Sequence, residues 1–160
     1  MGKKAIYPGS FDPVTFGHVD LIERASLIFD DIVIAVANNL SKEPLFTTEE
    51  RVDMLKEATK DIKGVHIETF DGLVTEYAER QGSNVLIRGL RMLSDFEYEL
   101  QMALMNRRLK NTIETLFLMP SEGYAFISSS LIKEATTLGA DVTSFVPEYV
   151  AGKLKDKLGK

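Results

Sequence analysis

Ile32-Val33-Ile34-Ala35-Val36 is apolar at five consecutive positions. A strand with one wet face alternates apolar and polar residues, so an unbroken run of this kind belongs to a parallel sheet covered by helices on both faces. Outward from it, Ala5 to Tyr7, Val65 to Phe70, Val85 to Ile87 and Thr115 to Met119 read as four further strands. Between the first two strands Leu21, Ile22, Ala25, Ile28 and Phe29 share one helical face, while Asp20, Glu23 and Arg24 point elsewhere. A second crossover opens at Thr47 with Glu50 three residues on, a capping-box pattern, and continues through Val52, Leu55 and Ala58. Ser94 and Glu97 repeat that pattern ahead of a longer helix whose buried side is expected to carry Phe96, Leu100, Ala103 and Leu104. The segment after Pro147 has the spacing of a last amphipathic helix with a lysine-rich tail. Strands alternating with helices predict an α/β fold, doubly wound.

With 160 residues, 44% of them hydrophobic, the chain suits one well-buried core, and residues 1–160 are expected to form a single domain. The absence of cysteine excludes disulfides, thiolate catalysis and Cys-ligated metal, and fits a reducing cytosol. A formal charge of −5 and a pI near 5.1 argue against nucleic acid or an anionic membrane surface as partner. Any bound phosphate has to be held by a local group of cations. The first residues run straight into a strand, without the apolar stretch of a signal peptide or a membrane span, which makes the cytoplasm the expected location.

Ligands of open α/β sheets bind beyond the carboxyl ends of the strands, so the loops there are where chemistry is expected. The first reads Gly9-Ser10-Phe11-Asp12-Pro13-Val14-Thr15-Phe16-Gly17-His18. It has neither GxGxxG nor GxxxxGK[ST] spacing, which removes the two commonest phosphate loops. Gly9 suggests a tight turn, Pro13 a stiff loop, and Gly17 a close backbone approach just before His18 begins the helix. A histidine beside free helix N-terminal amides can donate to a phosphoryl oxygen; alone, it reads equally as a capping residue. Arg88 and Arg91 flank Gly89 at the end of the fourth strand, where a buried arginine needs either an anionic ligand or a carboxylate such as Asp95 or Glu97. Ser128, Ser129 and Ser130 open another helix, as an anion site or as ordinary caps. Lys42 adds either a mobile cation or a plain surface lysine. All four groups lie at one edge of the predicted sheet, which suits a polyphosphate.

Thr15-Phe16-Gly17-His18 resembles the T/HxGH signature of the nucleotidyltransferase superfamily, and the ISSS run at 127–130 resembles its ISSxxxR/K motif. The wider strings AIYPGSFDPVTFGH, VLIRGLRMLSDFEYE and FISSSLIKE, in this order and spacing, resemble the bacterial phosphopantetheine adenylyltransferase family across nearly the whole chain. The resemblance implies a Rossmann-like, doubly wound, five-stranded parallel sheet of the nucleotidyltransferase type, with helices on both faces. It implies AMP transfer from ATP to 4′-phosphopantetheine, with direct in-line attack, release of pyrophosphate and no covalent enzyme intermediate. Carried over by position, His18 stabilises the transition state. Ser10, Phe11, His18, Gly89, Leu90, Arg91, Glu99, Tyr124, Ala125, Phe126, Ile127, Ser128, Ser129 and Ser130 contact ATP, and Ser10, Lys42, Val74 and Arg88 contact phosphopantetheine. Ser10 stands where the family commonly has threonine, and Val74 where it often has leucine or methionine; a hydroxyl and an apolar group are kept. Glu99 either binds ribose or pairs with an arginine. Mg2+ is implied, riding on the ATP phosphates, with no protein residue assigned to metal. The same resemblance implies a homohexamer, with Met102 to Met105 serving either an interface or the core, and coenzyme A as a feedback inhibitor. His66 receives no role. The competing readings are a related transferase acting on a nicotinamide nucleotide or polyol phosphate, and a non-catalytic nucleotide sensor.

Overall fold

The computed structural model describes residues 2–38, 43–91 and 93–159. Strands β1 (Lys4–Gly9), β2 (Asp31–Ala37), β3 (Val65–Phe70), β4 (Val85–Gly89) and β5 (Glu114–Leu118) form one parallel sheet in the order β3-β2-β1-β4-β5. The chain builds outward from β1 to β3, then returns to place β4 on the other side of β1. That reversal opens a crevice above β1 and β4.

The crossover helices cover both faces of the sheet. On one face α1 (Phe16–Ser26), α2 (Thr48–Thr59), α5 (Ser129–Thr137) and α6 (Glu148–Leu158) contribute Leu21, Ile22, Met54, Leu55, Ile132, Val150 and Leu154, which meet Ala5, Tyr7, Ile32, Ile34 and Val36 of the sheet. On the other, Tyr77 and Ala78 of α3 (Val74–Arg80) cover Ile6, Val33, Ala35 and Leu86. The uninterrupted apolar run of β2 is thus two interleaved sets, one for each core.

Several boundaries differ from the sequence reading. Helix α1 starts at Phe16 on an N-cap at Thr15, so His18 is its third residue rather than its first. It also ends at Ser26, and of the two residues assigned beyond that point only Phe29 is buried while Ile28 is exposed. Helix α3, absent from the sequence reading, is seven residues long, too short to display a period. The capping box at Thr47 and Glu50 is formed, with bonds of 2.8 and 3.2 Å. The matching pattern at Ser94 and Glu97 does not precede its helix: α4 (Leu93–Leu109) already includes Ser94.

The buried side of α4 also differs. Phe96, Leu100 and Leu104 are 46%, 40% and 53% exposed, while Glu99 is only 7% exposed. This helix turns Asp95, Glu99 and Asn106 toward the crevice, with Met102 and the half-buried Ala103 beside them, and sets Phe96, Leu100 and Leu104 outward.

Candidate active site

The first loop is built from the buried side upward. Strand β1 ends at Gly9, where an added Cβ would meet the Phe11 ring at 3.0 Å. Its small size, rather than a left-handed turn, is what the site uses. The left-handed residue is Phe11 itself, at φ +50°. Such a conformation costs a non-glycine residue about 1 kcal/mol and has to be held in place by its surroundings. Arg51, 1% exposed, supplies one hold: its Nη1 donates to the carbonyls of Ser10 (2.8 Å) and Ala37 (3.0 Å), and its Nε to that of Phe46 (3.2 Å). Buried Asp12 supplies another. Its carboxylate accepts the N–H groups of Leu45 and Phe46, both at 2.9 Å, and Lys133 Nζ of α5 at 3.0 Å.

Beyond this loop, Thr15 caps α1 and fixes the histidine. Thr15 Oγ1 accepts the His18 N–H, and the Thr15 N–H donates to His18 Nδ1 at 3.0 Å. With Nδ1 used as an acceptor, the proton of the neutral ring resides on Nε2. The surrounding protein lowers the His18 pKa to about 3, chiefly by removing water and further through the positive charges of Arg91 and Arg88. His18 is therefore a neutral Nε2–H donor through the physiological range. The Phe11 ring packs edge-on against it at 5.0 Å.

Arg88 and Arg91 leave β4 in different directions. The Glu99 carboxylate takes Arg88 Nε at 2.9 Å and Nη2 at 2.5 Å, and Arg88 Nη1 donates to the Pro8 carbonyl at 2.7 Å. Burial opposes the Arg88 charge, but the bonds and charge of Glu99 outweigh it and raise the pKa. Of five guanidinium N–H groups, two remain for a ligand. Arg91 Nη1 donates to the Ile127 carbonyl at 2.6 Å, and its Nε lies 3.2 Å from Asp95. The carboxylate partners are thus Glu99 and Asp95, not Glu97.

The start of α5 closes the site. Ser128 Oγ accepts the Leu131 N–H at 3.1 Å as N-cap, and Ser129 Oγ donates to the Pro13 carbonyl at 2.8 Å, joining this helix to the first loop. The first amides of an α-helix have no partner inside it. In α1 the Phe16 N–H donates to the Phe145 carbonyl and that of His18 to Thr15, which leaves Gly17; in α5 Ser128 takes the Leu131 N–H, which leaves those of Ser129 and Ser130 for an anion.

Two cavities abut here. One, of about 280 Å3, is lined by Ser10, Phe11, His18, Gly89, Arg91, Glu99, Tyr124, Ile127 and Ser128 to Ser130, together with Tyr7, Pro8, Gly17, Asp95 and Arg88. The other, of about 230 Å3, is lined by Phe70, Val74, Tyr98, Met102, Ala103 and Asn106. Pro8, Gly9, Ser10, Arg88 and Glu99 border both. Three of the expected nucleotide contacts, Leu90, Ala125 and Phe126, do not line either; Phe126 is half exposed and packs edge-on against Phe145 at 5.7 Å. Lys42 lies outside the described residues.

Sequence reasoning missed Asp12, Arg51, Tyr7 and Tyr98. Arg51 reads as an ordinary charged residue on a helix; the carbonyls that satisfy it lie on the first loop, the end of β2 and the segment leading into α2. The first cavity contains two carboxylates, Asp95 and Glu99, and both are engaged by arginine. Among the described residues no group of three His, Cys, Asp or Glu side chains could hold a metal ion. No described helix is long and apolar enough to cross a membrane.

A family model described as cytidylyltransferase-like matches residues 6–135. A phosphopantetheine adenylyltransferase of Caldanaerobacter subterraneus subsp. tengcongensis is 52% identical over 156 residues, covering 98% of each chain. One from Dictyoglomus thermophilum is 51% identical over 156 residues, 98% of this chain and 95% of that one. Among solved structures, a nicotinic acid mononucleotide adenylyltransferase of Plasmodium falciparum complexed with NaAD superposes with a TM-score of 0.72 at 14% identity, covering 98% of this chain and 96% of that one. A putative nicotinate-nucleotide adenylyltransferase of Vibrio parahaemolyticus gives 0.66 at 17% identity over 97% of this chain and 92% of that one. Both structures share the fold.

Proposed function

Because the chain belongs to the cytidylyltransferase-like family, and within it to the phosphopantetheine adenylyltransferases, we propose that the two abutting cavities hold ATP and 4′-phosphopantetheine side by side. The enzyme transfers AMP from ATP to the acceptor phosphate, giving dephospho-coenzyme A and pyrophosphate. The observation that carries the reading is the border itself. Ser10 and Arg88 face both cavities, so a phosphate oxygen of the acceptor and the α-phosphorus of ATP can be brought together there.

An oxygen of the acceptor phosphate attacks the α-phosphorus, the bond to the β-phosphate bridging oxygen breaks opposite it, and pyrophosphate leaves. The attacking oxygen is already anionic and needs no general base. That matches a histidine whose Nδ1 is occupied and whose Nε2 carries a proton. His18 donates from Nε2 to a non-bridging α-phosphate oxygen, where negative charge is stabilised as the transition state forms. Arg91 and the amides opening α5 hold the remaining phosphates, and Arg88, fixed by Glu99, holds the acceptor phosphate. Glu99 acts on the acceptor phosphate through that arginine rather than by direct ribose contact. The apolar wall of Val74, Met102 and Ala103 suits the pantetheine arm. Lys42 is assigned to the acceptor phosphate by resemblance alone.

Magnesium would enter with ATP and offset the charge of its phosphates; Asp95 and Glu99, the carboxylates of the cavity, are paired with arginines and would offer it no protein cage. Coenzyme A carries both the adenosine and the pantetheine portions and can occupy both cavities as an inhibitor. The working form is a cytoplasmic homohexamer, supported by the apolar surface of α4.

Pyrophosphate release from magnesium–ATP tests this reading. Turnover is expected with 4′-phosphopantetheine and not with nicotinamide mononucleotide. In His18→Ala, kcat is expected to fall about 100- to 1,000-fold while ATP binding changes only a few fold. Turnover with the other acceptor alone, or ATP binding without turnover, would overturn it.

A further inference from the structure

Tyr7 stands in the middle of β1, opposite Ile34 in the sheet register, with its ring edge-on to Phe11 at 5.2 Å. The residue is only 6% exposed, and among the described residues its hydroxyl makes no hydrogen bond. Among the described residues that oxygen is not one of the buried side-chain atoms sealed off without a partner, and Tyr7 lines the nucleotide-side cavity but not the Val74 cavity. A phenylalanine would fill the same space without desolvating a hydroxyl, a penalty that a ligand oxygen can remove.

We infer that the Tyr7 hydroxyl donates a hydrogen bond to a phosphate oxygen of the bound nucleotide, making Tyr7 a binding residue of the nucleotide cavity. The inference rests on the reading of that cavity as the ATP site. The acceptor is a phosphate because of what surrounds the phenol. Arg88 and Arg91 act on it electrostatically, and a donor next to two guanidinium groups is matched by an anion placed among all three. Burial, partly offset by those two cations, pushes the Tyr7 pKa up to about 12, so the hydroxyl keeps its proton and remains a donor. Glu99, the nearby carboxylate, is held on both oxygens by Arg88 and does not compete for it.

The test is Tyr7→Phe, with equilibrium binding of ATP and of adenosine to the full chain measured alongside the thermal midpoint of the free protein. The expected result is an ATP dissociation constant raised about tenfold or more, unchanged adenosine binding, and an unchanged midpoint. A purely structural tyrosine would lower the midpoint and leave ATP affinity alone, and that outcome overturns the inference. So does an equal loss for ATP and adenosine, which would place the hydroxyl away from the phosphates. ATP binding to the intact protein separates the two ideas: if it is absent, the reading of the cavity fails; if it is present and Tyr7→Phe matches it, only the role of Tyr7 fails.

Discussion

What an imidazole can do at one nitrogen is set by what its other nitrogen touches. Accepting the Thr15 N–H at Nδ1 commits His18 to donation from Nε2, and burial together with Arg91 and Arg88 prevents a second proton. The sign of the pH effect follows. The folded ring binds its proton near pH 3, while in the unfolded chain the reference value is 6.5. Between these values the unfolded state holds more protons, so this group's contribution to stability declines as pH falls from about 6.5 toward 3 and is constant above that window. In 15N spectra of the free protein the His18 ring is expected to remain neutral from pH 8 down to 5; a midpoint near 6.5 would contradict its assigned environment. Arg51 makes a second residue-scale prediction. Lysine has no planar fork and cannot span the carbonyls of Ser10, Ala37 and Phe46 together. Arg51→Lys is expected to destabilise the fold by about 2–4 kcal/mol in urea denaturation, with a raised KM from the loosened Ser10 loop.

At the scale of elements, the site depends on ties between segments far apart in sequence. Asp12 joins the first loop to the segment leading into α2 and, through Lys133, to α5. Asp12→Ala leaves the buried Phe46 N–H, the half-buried Leu45 N–H and an ammonium without their acceptor, and a loss of about 3 kcal/mol is expected. Helix α6 braces the same region from behind. Leu154 is fully buried against the first core, and Lys157 reaches the Leu45 carbonyl at 3.1 Å and Glu50 at 2.8 Å. The exposed contacts contribute little by comparison with the buried leucine. Leu154→Ala is expected to cost about 2–5 kcal/mol, whereas Lys157→Ala should change stability by less than about 1 kcal/mol.

For the molecule as a whole, the outward face of α4 gathers more exposed large apolar residues than any other element among the described residues. Phe96, Leu100, Leu104 and Met105 lie exposed on one helix, with Leu116 and Met119 exposed at and just beyond the neighbouring strand β5. Apolar groups concentrated in this way mark contact surfaces. If this face holds the proposed hexamer together, Phe96→Glu with Leu104→Glu is expected to shift sedimentation from oligomer to a 17.9 kDa monomer with its circular dichroism retained. Unchanged sedimentation would remove this face from the assembly.

The sequence by itself determined the architecture and which loops meet at one edge of the sheet. An apolar run such as Ile32 to Val36 has one economical burial, between two layers, and alternating strand and helix patterns order the chain around it. Local patterns also carried the capping box at Thr47 and the placement of His18 and Ser128 at helix starts, because a cap is satisfied within a few residues of itself. Only the tertiary structure decided which carboxylate each arginine takes, that Glu99 rather than Phe96 or Leu100 is the buried group of α4, and that Asp12 and Arg51 bind the site together. Most of those choices depend on partners far apart in sequence, 11 residues for Arg88 with Glu99 and 121 for Asp12 with Lys133. A helix that faces a polar crevice inverts the usual pattern, so its apolar period pointed to the wrong side. Sequence periodicity records how much of an element is apolar; what stands opposite that element decides which face is buried.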